Sequence, residues 1–236
     1  MKRIFVVILS LLLTFSLLCP LFVSADSAEG NVTILFTHDL HSHFLPTSNP
    51  DGGQDGGFAR LMTVINQQKA KYPNAVLVDG GDFSMGTLFQ TAYKTDGLEL
   101  RMLGAMGYDA TTLGNHEYDY LPEGLAAMLN AAKQSGERLP AVVQSNYVPA
   151  KEGDADFRED SKDLAAAFDE FGVREYQILE RGGIYYVIFG IMGKDSDDCA
   201  PNSGSTLLAP IETAQRVVDK ATAECKERYG AEPVVI

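Results

Sequence analysis

Residues 75–82 read AVLVDGGD, and this stretch decides the fold. A short apolar run that breaks off in Asp79-Gly80-Gly81-Asp82 reads as a buried strand with a tight turn at its carboxyl end. The same construction stands on both sides of it. Residues 31–41 (NVTILFTHDLH) run from a strand at 31–37 into Thr37-His38-Asp39-Leu40-His41, and residues 109–117 (DATTLGNHE) run from a strand at 109–113 into Gly114-Asn115-His116-Glu117. A fourth strand is read at 140–144 (PAVVQ). Between these lie helical patterns at 58–72, stopped by Pro73, at 97–106, stopped by Gly107, and at 121–135, stopped by Gly136. Strands alternating with helices predict an α/β fold whose sheet is built from right-handed crossovers.

Outside this region the signals are looser. Residues 46–57 (PTSNPDGGQDGG) are loop. Residues 151–171 hold eight acids and three bases and read as an exposed helical insertion. A hairpin is expected from 175–179 and 184–191 across Arg181-Gly182-Gly183. A long helix follows at 209–229, and Val234-Val235-Ile236 reads as the first half of another buried strand.

The 236 residues are 45% hydrophobic and 22% charged, which excludes bulk disorder. Asp and Glu outnumber Lys and Arg by 32 to 19, a formal charge of −13. That balance argues against a nucleic-acid binder, which needs a basic footprint. It leaves phosphoesters open, because metal ions can supply the positive charge that side chains lack. At the start, Met1-Lys2-Arg3 precedes an apolar run from Ile4 to Val23 and a Val23-Ser24-Ala25 exit. This is the pattern of a cleaved signal peptide over 1–25, with the mature chain, 26–236, beginning at Asp26. The expected location is secreted, either extracellular or periplasmic. The mature chain keeps two cysteines, Cys199 and Cys225, and nothing in the sequence fixes whether they pair.

The chemistry sits at the strand ends. In an open α/β sheet the carboxyl ends of the strands share one crevice, where ligands bind. Asp39, His41, Asp82, Asn115 and His116 are thereby expected in one place. In extended backbone, residues two apart point the same way, so Asp39 and His41 can reach one ion. Taken singly, each residue fits a cap, a turn or a surface position. Jointly, three strand ends of one chemical type point to a ligand site. Carboxylate, imidazole and amide oxygen suit Mn, Zn, Mg, Fe, Co or Ni rather than a soft thiolate metal. Asp82 can bridge two ions, and Asp119, three residues beyond His116, can hold its imidazole. His38 and His43 are left outside the ligand set. No G-x-S-x-G, H-E-x-x-H, C-x-x-C or Walker loop supports a different hydrolase.

In this order THDLHSH, VDGGDFSMGT and TLGNHEYDY resemble the calcineurin-like metallophosphoesterases, and more closely their secreted 5'-nucleotidase and UDP-sugar hydrolase branch. GGFARLMTVI (56–65), GTLFQT (86–91) and MLGAMGYDATTLGNHE (102–117) extend the resemblance over residues 31–146. It implies a four-layer α-β-β-α sandwich and a two-metal hydrolase of nucleotides or other phosphoesters. Asp39 and His41 would serve one ion, Asp82 the bridge and Asn115 the second ion, with His116 and Asp119 as a catalytic dyad. Thr37-His38-Asp39 departs from the branch, which often has Asn before the Asp. The family also has two further histidine motifs downstream, yet the histidines here are 38, 41, 43 and 116. The branch's C-terminal base-stacking domain has no counterpart either. The chain is therefore read as a C-terminally incomplete, N-terminal part of a longer enzyme, with only trace activity by itself. The other reading is a non-catalytic exported metal-binding protein on the same scaffold.

Overall fold

The computed structural model describes residues 31–236; the expected leader, 1–25, lies outside them. Along the chain come β1 (Ile34–Thr37), the short ladder of β2 (Thr47–Ser48) and β3 (Gln54–Asp55), α1 (Phe58–Lys71) and β4 (Val76–Asp79). A 3-10 turn over Leu88–Ala92 leads to α2 (Tyr93–Asp96), α3 (Leu98–Met106) and β5 (Ala110–Thr111). A second 3-10 turn, His116–Tyr118, precedes α4 (Leu121–Gln134), β6 (Ala141–Val142), β7 (Tyr147–Pro149) and α5 (Ser161–Phe171). The chain continues through β8 (Tyr176–Arg181), β9 (Ile184–Phe189), α6 (Lys194–Asp198), β10 (Ser205–Leu207), α7 (Pro210–Tyr229) and β11 (Val234–Val235).

One sheet has the order β1-β4-β5-β6 and is parallel throughout. Its register aligns Thr37 with Asp79 and Asp79 with Thr111, so the first three strands end level. Side chains alternate across β4. Leu77 enters a core with Phe58 and Ile65 of α1, Leu100 and Leu103 of α3, and Leu125, Met128 and Leu129 of α4. Each such buried side chain contributes about 1.5–3 kcal/mol. A second sheet, β11-β9-β8, carries α7, whose buried Thr213, Val217, Ala221 and Cys225 recur every fourth residue. Glu175 binds Arg216 and Lys220 of this helix, and Tyr176 donates to Glu224. Arg181 ties the second sheet to the first, donating to the Ala75 carbonyl (3.2 Å) and the Asp109 carboxylate (2.7 Å). Helix, sheet, sheet and helix thus follow one another.

Four local expectations are corrected. The segment 151–171 is exposed only in its first part: residues 151–156 are exposed, but helix begins at Ser161, and Leu164, Ala167 and Phe168 are buried in the core. Its acids lie off the stripe that these residues form. β1 is an edge strand, which leaves Ile34 39% and Phe36 60% exposed. Val234-Val235 does form a strand, parallel to β9, but Val235 is exposed because β11 is also an edge. The third strand is two residues long rather than five. The hairpin turns through Gly182 and Gly183, both with positive φ (62° and 81°), as a two-residue turn between right-twisted strands requires. Cys199 is exposed and Cys225 buried, and both are free.

Candidate metal centre

Asp79 closes the three strand ends together. Its buried carboxylate accepts from Thr37 Oγ1 (2.6 Å), Thr111 Oγ1 (3.0 Å) and the Gly81 N–H (3.0 Å). Burial pushes its pKa up, against the pull of these donors. Beyond this point the chain leaves strand geometry. Asp39, His41, Ser42, Asp82 and Met85 all have φ between 45° and 62°, although none is glycine. Left-handed backbone costs an L-residue roughly 1–2 kcal/mol. A ladder offsets it: the N–H groups of Asp39, His41 and Ser42 donate to the carbonyls of Gly81, Asp82 and Phe83 at 3.0–3.1 Å. The expectation that Asp39 and His41 align through extended alternation is therefore corrected. They are brought together by a left-handed turn laid along the loop after β4.

Two glycines let the loops after β4 and β5 touch. A Cβ on Gly81 would lie 2.6 Å from Gly114 N, and one on Gly114 would lie 2.2 Å from Asp82 Oδ1. The fully buried Glu117 then grips both loops. Its carboxylate accepts from the N–H of Asp82 (2.9 Å), Gly114 (2.7 Å) and Ser84 (3.0 Å) and from Ser84 Oγ (2.7 Å). Burial and the nearby Asp82 carboxylate push Glu117 up to about 7, while these donors pull the other way.

Within this frame His41, Asp82 and His116 each offer a ligand atom, and the three atoms lie within 4.8 Å of one another. His41 Nδ1 meets the Ser84 carbonyl at 3.1 Å, which puts the proton on Nδ1 and the lone pair on Nε2. That lone pair faces Asp39 Oδ1 at 3.4 Å, an arrangement of two donors that a cation between them would satisfy. Asp82 Oδ1 accepts the His116 N–H at 2.9 Å. His116 Nδ1 lies 2.9 Å from Asp119 Oδ2, and the His41 and His116 rings meet edge to face, 4.9 Å apart. Burial lowers the His116 pKa, but the Asp119 hydrogen bond and the surrounding carboxylates outweigh it and the net shift is upward. Asp39 stands outside the group of three: its carboxylate pairs with His38, which holds its pKa below the usual range. Asn115 is half-buried at the start of the turn that carries His116, where its carbonyl accepts the Tyr118 N–H. The donor set of imidazole and carboxylate fits a borderline divalent ion.

A cavity of about 540 Å³ opens beside this group, lined by His41, His43, Met85, Gln90, His116, Asp119 and Tyr120 among others. A larger groove beside β7 and α5, about 990 Å³, is lined by no histidine. Sequence reasoning left Asp79 and Glu117 without a role. The available signal was the crowding of acids among glycines at two neighbouring strand ends, where backbone N–H groups need acceptors.

The calcineurin-like phosphoesterase family model matches residues 32–190. The chain belongs to this family. Rat 5'-nucleotidase is 43% identical over 123 residues, 49% of this chain and 20% of that protein. The trifunctional nucleotide phosphoesterase of Bacillus subtilis is 28% identical over 209 residues, 83% of this chain and 13% of that protein. Among solved structures, the 5'-nucleotidase precursor of Thermus thermophilus superposes with a TM-score of 0.65 at 27% identity, over 82% of this chain and 35% of that one. This family member thus spans about a fifth or less of the length of these curated relatives.

Proposed function

We propose that this calcineurin-like phosphoesterase holds the metal site of an exported hydrolase of nucleotides or related phosphoesters. The observation that carries the reading is the convergence of His41, Asp82 and His116 at the level carboxyl ends of a parallel sheet. The nucleotidase relatives support the substrate class. In this reading Asp39 and His41 would hold one divalent ion, Asp82 would serve both, and Asn115 would hold the second. Ions held there supply Lewis acidity toward a phosphoryl oxygen. Water adds to phosphorus as the ester P–O bond breaks, and His116, with its Nε2 directed at the ester, gives a proton to the departing oxygen. Asp119 is a positioning residue: it holds Nδ1 and keeps the imidazole protonated. The ions come from Mn, Zn, Mg, Fe, Co and Ni. The leader over 1–25 is removed, residues 26–236 form the metal-holding domain, and N-terminal sequencing of exported protein should begin at Asp26.

One observation favours a second reading, metal binding without turnover. The His41–Asp82–His116 group provides three ligands for one ion, and among the described residues no other such group is present. Calorimetry separates the readings. The full chain is titrated with adenosine 5'-monophosphate with and without Mn²⁺, and release of phosphate is followed in parallel. Binding that requires Mn²⁺ and is lost in Asp82→Ala supports the phosphoesterase reading. Mn²⁺ uptake without nucleotide binding supports the second. Nucleotide binding that ignores Mn²⁺ would overturn both.

A further inference from the structure

We infer that Glu99, a buried acid on α3, is a positioning residue of the metal centre and sets where His41 stands by holding Ser42. The inference rests on the metal-site reading above and adds to it a residue that touches no ion.

Glu99 lies in the first turn of α3 and is almost completely buried. Its Oε1 accepts from Ser42 Oγ at 2.7 Å, across 57 residues of sequence. Its Oε2 has no partner among the described residues. An acid buried for one hydrogen bond, with its second oxygen idle, stabilises the fold poorly, because desolvation costs more than one bond returns. What the bond secures is the place of Ser42. That residue is fully buried and directly follows His41, and both have left-handed φ, 52° and 45°. Such backbone persists only where its surroundings over-determine it.

The other partners of Ser42 are not rigid elements. Its N–H donates to the Phe83 carbonyl at 3.0 Å, in the loop after β4, and its carbonyl accepts from Thr87 Oγ1 at 2.8 Å, at the start of the first 3-10 turn. The ladder from residues 39–42 likewise runs onto 81–83. Two loops tied only to each other can shift together. Glu99 comes from a helix that cannot follow them: Leu100 and Leu103 are fully buried in the core, and Gly104 leaves no room for a Cβ beside the Arg138 carbonyl. Through Ser42 the helix therefore fixes the backbone from which the His41 imidazole reaches Asp82 and His116.

The test titrates the full chain with Mn²⁺ by calorimetry and measures urea unfolding of the metal-free protein in parallel. Wild type is compared with Ser42→Ala, Glu99→Ala, the double variant, Glu99→Gln, and Leu164→Ala as a core control remote in sequence from the turn. Loss of a partner that orients a ligand should weaken Mn²⁺ about tenfold in Ser42→Ala and in Glu99→Ala. The double variant should lose no more than either single one, because both remove the same bond. Glu99→Gln keeps the accepting oxygen and should keep wild-type affinity whatever its stability. Leu164→Ala should lose stability and keep affinity. Ser42→Ala leaves the acid in place, so it decides the question even where Glu99→Ala does not fold. Wild-type affinity in Ser42→Ala, additive losses in the double variant, a Glu99→Gln as weak as Ser42→Ala, or affinity that falls with stability in Leu164→Ala would overturn the positioning role and leave the metal centre standing. No Mn²⁺ uptake by wild type would overturn the metal-site reading and this inference with it.

Discussion

Gly114→Ala adds one methyl group at the point where the loops after β4 and β5 meet, and the expected damage can be worked from distances. Gly114 is absent from the positive-φ glycines, so alanine meets no conformational penalty there. By itself the change should stabilise by about 0.4–1 kcal/mol through the unfolded chain. Sterics oppose it. The new Cβ would lie 2.2 Å from Asp82 Oδ1 and 2.7 Å from Asp82 N. The carboxylate oxygen can rotate away, but then it abandons the His116 N–H. The backbone nitrogen cannot rotate away, because it is held by Glu117. Relieving both contacts requires the loops to separate by several tenths of an ångström, which costs roughly 2–4 kcal/mol. Gly136→Ala is the control: its φ is 67° and nothing lies within 4 Å of the added Cβ, so it reports left-handed strain alone, about 1–2 kcal/mol. Urea unfolding followed by tyrosine fluorescence gives both stabilities, and Mn²⁺ calorimetry reads the site. Gly114→Ala should be the less stable variant and should lose Mn²⁺ affinity, which Gly136→Ala retains. A Gly114→Ala protein as stable as the control, with Mn²⁺ affinity intact, would refute the claim that direct contact between these loops sets the ligand geometry.

Three further outcomes are expected. Asp82→Asn should lower bound Mn²⁺, measured by elemental analysis, further than His116→Ala, because only Asp82 is assigned to both ions; equal loss would make His116 a ligand of the same standing. Asp119→Asn should lower the His116 pKa in NMR titration of the metal-free chain, since the Asp119 hydrogen bond is what raises it against burial, and should leave bound metal near the wild-type level. Glu99 is 1% exposed, donates nothing, and accepts from Ser42 Oγ at 2.7 Å; burial raises its pKa. The folded carboxyl is therefore protonated more readily than the unfolded one, so its stabilisation is present at low pH and is lost as pH rises through the raised value. Glu99→Gln should gain in Tm relative to wild type as pH rises above the ordinary glutamate value of 4.5, and a constant difference across that rise would contradict the assignment.

The parallel sheet was legible because each strand announces itself by an apolar run with an abrupt polar stop, as in Val76-Leu77-Val78-Asp79. What was not legible was exposure. Nothing in Ile34-Leu35-Phe36 marks β1 as an edge, since strand order is a property of the whole sheet and not of any one run. The acidic count over 151–171 misled for a related reason: charge was averaged along the segment, whereas Leu164, Ala167 and Phe168 gather on one side of α5 at i, i+3 and i+4. Averages lose the face, and the face decides burial.

At the metal centre the difficulty is different. Glycine flags left-handed backbone at Gly81, but Asp39, His41, Ser42, Asp82 and Met85 adopt it unflagged. A reader of local propensity places Asp39-Leu40-His41 in extended chain and reaches the correct neighbours by the wrong geometry. Five such residues would together cost roughly 5–10 kcal/mol, as much as the net stability of many domains. They persist because other groups over-determine them: the ladder from residues 39–42 onto 81–83, and the Glu117 carboxylate with four donors from two loops. Apart from Gly114, three residues before Glu117, these partners lie 33 to 42 residues apart in sequence, so no window short enough to show propensity contains both sides of the balance. The residues where local reading fails are thus the ones held against their own preferences by distant contacts, and here they are the residues that carry His41 and Asp82 to His116.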